Sequence, residues 1–318
     1  MFKPALLLVS FLASFPAFAA TLEVGPDRAF KTLGAAVQSS GAGDTILIDS
    51  GTYTDDFIVI AHPLTISAIG GKARLHASKL IPNGKGIIVA NANLSIQNLI
   101  FSNAHVPDRN GAGIRHQKGT LVIQDSVFES NENGILGGSD PDASIIIQSS
   151  RFLGNGHGDG YSHGIYIGKI ASLTVQNSRF TDTKTGHHIK SRARSTTIID
   201  CLLDDGAAAS SYAIDLPNGG TNIIRGNTLI QNAKPENDIF ISVGTKSLHS
   251  SSSLTIEDNR FINFASRGTA VRNAMREAVL IKDNTFFGPL TIVRGSAKQE
   301  ANITFTSRPE KSEMEISP

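Results

Sequence analysis

The segment LTVQNSRF, residues 173–180, is one copy of a block that recurs along the chain. Further copies read LSIQNLIF (94–101), LVIQDSVF (121–128), IIIQSSRF (145–152), NIIRGNTL (222–229), LTIEDNRF (254–261) and VLIKDNTF (279–286), with a weaker TTIIDCLL at 196–203. The residues that end the blocks, Phe101, Phe128, Phe152, Phe180, Leu203, Leu229, Phe261 and Phe286, recur at intervals of 23 to 32 residues. Within a block the apolar residues alternate, the mark of a strand with one buried face. Two positions before each anchor after Phe101 stand Ser126, Ser150, Ser178, Cys201, Asn227, Asn259 and Asn284. Like small residues at one repeat position predict stacked ladders, and Gln97, Gln124, Gln148 and Gln176 predict an outward-facing one.

A turn follows each anchor, and then a second short strand: AGIRHQ (112–117), NGILGG (133–138), HGIYIG (163–168), HHIKSR (187–192), YAIDLP (212–217), DIFISV (238–243) and TAVRNA (269–274). Two or three short strands per period, with no helix between them, exclude a βαβ protein. Each coil has to bury its inner face on its neighbours, so the expected fold is all-β, a single right-handed parallel β-helix. A β-propeller would need periods nearer 40 residues and hairpin turns between strands. Phe30, Leu33, Ala36 and Val37 share one face of a short helix, which predicts an N-terminal cap over the first layer.

Residues 1–19 read as a secretory signal peptide: Lys3, an apolar run from Ala5 to Phe15, and an Ala-x-Ala exit at Ala17–Ala19. The run is shorter than the roughly 20 residues of a spanning helix, which argues against a membrane anchor. The expectation is an exported protein, periplasmic or extracellular, whose β-helix domain spans 20–306 and whose polar stretch 307–318 is a disordered tail. With 29 basic and 28 acidic residues, the net charge is +1, and no global field steers the chain to nucleic acid or a membrane surface. Cys201 is the single cysteine, so an internal disulfide is excluded. A monomer is expected.

Aligning the second strands on their buried residue (Ile114, Ile135, Ile165, Ile189, Ile214, Val271) gives the side chains that share a face. The column one residue after is Arg115, Leu136, Tyr166, Lys190, Asp215 and Arg272. The column one residue before is Gly113, Gly134, Gly164, His188, Ala213 and Ala270, read as outward and as leaving the wall flat. Together with His163, His187 and Arg192 these residues predict a cationic wall suited to an acidic polysaccharide. Asp205 reads as plain surface.

The opening from Phe30 to Tyr53, with Gly41-Ala-Gly-Asp-Thr-Ile and Gly51-Thr-Tyr53, resembles the opening of pectate-lyase-like β-helix proteins. His163-Gly-Ile-Tyr-Ile-Gly168, followed one coil later by His188-Ile-Lys190, is similar to the His-Gly and Arg-Ile-Lys strands of polygalacturonases. That resemblance implies that His163 and Lys190 hold a uronate carboxylate, with His188 in place of the family's Arg. Polygalacturonases hydrolyse with carboxylates on the two preceding coils, and here those coils offer no Asp pair. Glycoside hydrolysis needs a paired acid and base.

β-Elimination on a uronate chain needs no such pair. Cations offset the carboxylate charge, a base removes the C5 proton and an acid protonates the leaving oxygen. Lyases of several β-helix families use Lys or Arg as base, which implies Lys190 as base. His163 or Tyr166 is then the acid, Arg192 the carboxylate neutraliser, and His188, His187 and Arg115 further substrate contacts. Some of these families use calcium, but Asp159, Asp182 and Asp215 are too scattered to argue a site, so no metal or other cofactor is expected. The alternatives are a non-catalytic glycan- or envelope-binding β-helix, a C5-epimerase sharing the same proton abstraction, and a hydrolase using Asp140, Asp159 or Asp215.

Overall fold

The computed structural model describes residues 19–309. The expected signal peptide therefore lies, but for Ala19, outside the described residues, as does the tail from residue 310. Among the described residues there are thirty-one strands and one helix, and the strands sort into one 21-stranded and one 10-stranded parallel sheet. The shorter sheet holds the second strand of every coil, stacked in chain order from Ile58–Ile60 to Thr291–Arg294. Among the described residues no helix is long and apolar enough to cross a membrane.

Each repeated block is bent into two strands at one residue. Asn98, Asp125, Ser149, Asn177, Asp200, Gly226, Asp258 and Asp283 all have φ between 48° and 67°. Asn, Asp and Gly tolerate this left-handed region best, so the residue type sets the corner. Just past the corner the expected ladder forms, though its bonds are not all side chain to side chain. The Leu99 N–H donates to Ser126 Oγ (3.2 Å), the Ser126 N–H to Ser150 Oγ (3.2 Å) and the Ser150 N–H to Ser178 Oγ (3.1 Å). The asparagines do both: Asn227 Nδ2 and its N–H each donate to Asn259 Oδ1 at 2.9 Å, and Asn259 repeats the pattern on Asn284. The ladder thus satisfies the N–H groups that the corner removes from the sheet. Cys201 occupies one rung, and burial raises its thiol to about 12.

The interior is a column of rings. Phe101, Phe128, Phe152 and Phe180 stack at centroid spacings of 4.8, 4.7 and 4.5 Å, and Phe261 and Phe286 continue it at 5.0 Å above Leu203 and Leu229. Here the structure corrects the glycine column. Gly113, Gly134 and Gly164 face inward, beneath these rings: a Cβ on Gly134 would lie 2.7 Å from Phe152 Cδ1 and 2.5 Å from the Gly164 carbonyl. The backbone turns into the sheet at this position, so the simple outward alternation does not yet hold. Where the anchor shrinks to Leu229, the same position carries the buried Phe240, packed edge-on against Phe261 at 5.6 Å.

At the N-terminal end the helix Leu33–Ser39 buries Leu33, Ala36 and Val37 against the first coil. Thr32 Oγ1 caps it by accepting from the Ala35 N–H (3.2 Å), and the Asp56 carboxylate takes the N–H groups of Leu33 and Gly34. At the other end the last described residues lie against the final coils. Arg308 donates to the carbonyls of Asn263 (3.2 Å) and Phe264 (2.9 Å), and Pro309 is buried.

Candidate functional site

Strand register aligns one outward row on the shorter sheet: Val89, Arg115, Leu136, Tyr166, Lys190, Asp215, Ser242, Arg272 and Arg294, each paired with the next. Neighbours in the row stand about 4.8 Å apart. Two sequence-predicted residues of the row, Tyr166 and Lys190, meet a third, Arg192, beside it. The Lys190 ammonium lies 5.2 Å from the centre of the Tyr166 ring, and the Arg192 guanidinium 5.6 Å from the same ring. Lys190 Nζ is also 3.5 Å from Asp215 Oδ2. Asp215 is the one carboxylate of the row, and burial raises its carboxyl above the usual range against the opposing pull of Lys190, Arg272 and Arg192. Arg115 stands three places before Lys190 in the row, where burial disfavours its charge and Asp108 partly offsets that.

Two residues before the buried position a second column runs beside the row: Asn133, His163, His187 and Tyr212. The first three side chains each accept the backbone N–H of the next coil. Asn133 Oδ1 takes the His163 N–H (2.9 Å), His163 Nδ1 the His187 N–H (3.0 Å), and His187 Nδ1 the Tyr212 N–H (3.1 Å). The rings stack, His163 on His187 at 4.7 Å and His187 on Tyr212 at 4.8 Å. An Nδ1 that accepts from an amide carries no proton, so both histidines are the Nε2–H tautomer. Burial, with the nearby Lys190 charge, holds His163 well below its ordinary range and His187 at about 3, so both are neutral donors. His163 is 1% exposed and meets Tyr166 edge-on at 5.4 Å, while His187 Nε2 faces Asp215 Oδ2 at 3.6 Å.

His188 does not face a substrate. Its side chain is wholly buried inside the solenoid, with Nδ1 2.8 Å from Thr183 Oγ1 and Nε2 3.3 Å from Asp205 Oδ1. It occupies the inward position that glycine holds in the preceding coils. Asp205, expected on the surface, is 2% exposed because it partners this histidine.

Loops flank the wall. The turn 154–162 precedes His163 and carries the fully presented Tyr161. On the opposite side the loop 244–252 lies over Pro217 and Asn218 and reaches back until His249 Nε2 meets the Arg192 carbonyl at 3.0 Å. Among the described residues no group of three or more His, Cys, Asp or Glu is arranged to hold a metal ion.

Sequence reasoning passed over Tyr212 as a site residue, placed Arg272 in the wall without a role, and gave Asp215 a role only in the hydrolase alternative. The strand alignment carried the signal for all three, since Asp215 and Arg272 fall in the Lys190 column and Tyr212 in the His163–His187 column.

No curated protein matches the sequence. Among solved structures the chain is similar in fold to an alginate lyase from Paenibacillus sp. str. FPU-7, with 15% identity over 88% of this chain and 99% of that one and a TM-score of 0.68. It is similar also to a lacto-N-biosidase from Eubacterium ramulus (11% identity, 90% of this chain, 67% of that one, TM-score 0.59). A pectate lyase, Pel9A, matches at 13% identity, over 90% of this chain and 80% of that one, with a TM-score of 0.50. These neighbours are carbohydrate-active β-helix proteins. The family described as "Right handed beta helix region" matches residues 138–306, and with the stacked parallel coils this makes the chain a member of the right-handed β-helix family.

Proposed function

We propose that this protein acts on a uronate-containing polysaccharide by β-elimination at the Tyr166–Lys190–Arg192 wall. The observation that carries the reading is the convergence of Lys190 and Arg192 on one Tyr166 ring, on a row whose one carboxylate is already paired. A hydrolase needs two carboxylates across the scissile bond, which this row does not supply.

In the proposed step Arg192 neutralises the C6 carboxylate, which acidifies C5–H. Lys190 Nζ, having passed its own proton to Asp215 Oδ2, takes that proton. The C5–H electron pair becomes the C4–C5 double bond as the C4–O4 bond breaks, and the Tyr166 hydroxyl protonates the leaving O4. Asp215, with its raised carboxyl, is a second home for the proton on Lys190. His163 cannot take a proton at Nδ1, which is occupied by the His187 amide, so its part is to orient the Tyr166 ring. The acid role therefore falls to Tyr166. His187 orients Asp215 in the same way.

The alternative is a glycan-binding module. It is favoured by the neutral, fixed His163–His187–Tyr212 stack, which presents donors but no titrating group.

The test is ultraviolet absorbance during incubation with alginate, pectate, glucuronan and glycosaminoglycans, with and without calcium. The alginate and pectate lyases of the same fold make the first two the leading substrates. A rising signal of unsaturated uronate supports elimination. A flat trace on all of them, with solvent hydrogen exchanged into the polymer, points to an epimerase, and a flat trace without exchange to a binding module. Export of the protein is part of the same proposal, since such polymers lie outside the cytoplasm, and is tested by fractionating cells that express the full chain.

A further inference from the structure

Arg115 and Arg272 stand on the same outward row as Lys190, three coils away on either side. Three steps of about 4.8 Å put each arginine about 14 Å from Lys190 along the solenoid axis. Arg272 is braced: its Nη2 donates to Ser242 Oγ at 2.9 Å and its guanidinium lies 5.3 Å from the Tyr212 ring centre. In Arg115, Arg192 and Arg272 the Nε–H is buried and meets no acceptor among the described residues. The three side chains are half-buried, so packing holds each stem and Nε in place while the outer part of the planar guanidinium stays open and matches a carboxylate. Three such groups on one face, spaced along one axis, are better explained by a ligand than by solubility.

Resting on the elimination reading of the Lys190 site, the geometry points to an extended polyanion groove in which Arg115 and Arg272 bind carboxylates of sugars remote from the scissile bond. The ligand lies along the axis, crosses every coil from Arg115 to Arg272 and carries acidic sugars on both sides of the reacting one. Such a groove selects internal stretches of a long polyuronate over short oligomers and over chains whose charges are isolated. The site is then suited to cutting within chains.

The experiment measures binding, so that turnover does not intervene. Calorimetry with the Lys190→Ala protein uses size-defined oligomers of alginate and of pectate, from dimer to decamer. Affinity is expected to rise with length until the oligomer reaches both arginines and then level off, and to fall as salt is added. Adding Arg115→Gln or Arg272→Gln is expected to weaken the long oligomers about tenfold each and leave the dimer and trimer unchanged, with circular dichroism and thermal midpoint as folding controls. A plateau already reached at the dimer or trimer, or arginine variants that change nothing, overturns the groove while the elimination reading stands. If no oligomer of any length binds, both readings fall.

Discussion

Lys190 Nζ and Asp215 Oδ2 lie 3.5 Å apart on adjacent coils, and the same oxygen lies 3.6 Å from His187 Nε2. A buried carboxylate thus joins the wall to the ring column beside it. Replacing Asp215 with Asn keeps the shape and removes both the ion pair and the second proton site. Elimination activity is expected to fall about 10²-fold, within the usual range for losing an acid–base partner. Steady-state rates on the polymer check this, and an Asp215→Asn protein of full activity would make the carboxylate purely structural.

Tyr166→Phe keeps the ring on which Lys190 and Arg192 converge and deletes the proposed acid. We expect kcat to drop about 10²- to 10⁴-fold with KM little changed. A parallel loss in oligomer affinity would instead make Tyr166 a binding group.

His188→Ala tests the correction made by the structure. The variant leaves buried Asp205 and Thr183 without their histidine, so stability should fall by about 1–3 kcal/mol. KM in the protein that remains folded should not move, because the side chain does not reach the wall. Urea unfolding and a KM measured well below the melting point separate the two effects.

Acid stability should depend on the ring column. His187 is held at about 3 when folded and is near 6.5 when unfolded, so the unfolded chain binds more protons between these values. Its contribution is fully present above about pH 6.5 and is lost as pH falls toward 3, by up to about 1.4 kcal/mol for each pH unit crossed. His163 acts in the same direction, and the raised Asp215 opposes both. His187→Asn borrows the acceptor that Asn133 provides lower in the same column, and should flatten the acid limb of the urea midpoint against pH. An unchanged limb would place the acid sensitivity elsewhere.

Gly134→Ala should cost at least about 2 kcal/mol, read as a lower thermal midpoint, because its Cβ has no room between Phe152 and the Gly164 carbonyl. A flat outward wall, by contrast, would tolerate alanine there.

The solenoid was legible because its repeats carry their own register: once the anchors are aligned, Lys190 must neighbour Tyr166 and Asp215. The inward turn of His188 and the glycines was not legible. Period-two alternation starts only once the strand is extended, and the residue just before still belongs to the corner. The tautomers of His163 and His187 were hidden for another reason. They depend on an amide of the next coil, and strand alignment gives side-chain columns but not the hydrogen bonds between them. Arg115, Arg192 and Arg272 were visible as charges, whereas their unmatched Nε atoms emerge only from burial.

The exchange of volume inside each coil, glycine under a phenylalanine ring and Phe240 where the anchor is Leu229, bears on how such a chain can change by inheritance. Each coil arrives with its own filling, and in a solenoid it touches only the coils next to it. Duplicating or deleting a whole coil therefore conserves the packing, while exchanging one interior residue between coils does not. The anchor and the glycine-row residue should vary together across descendants of this gene, as a unit of one coil. The distance between Arg115 and Arg272 would then change in whole steps, so that the reach of the wall evolves by counting coils.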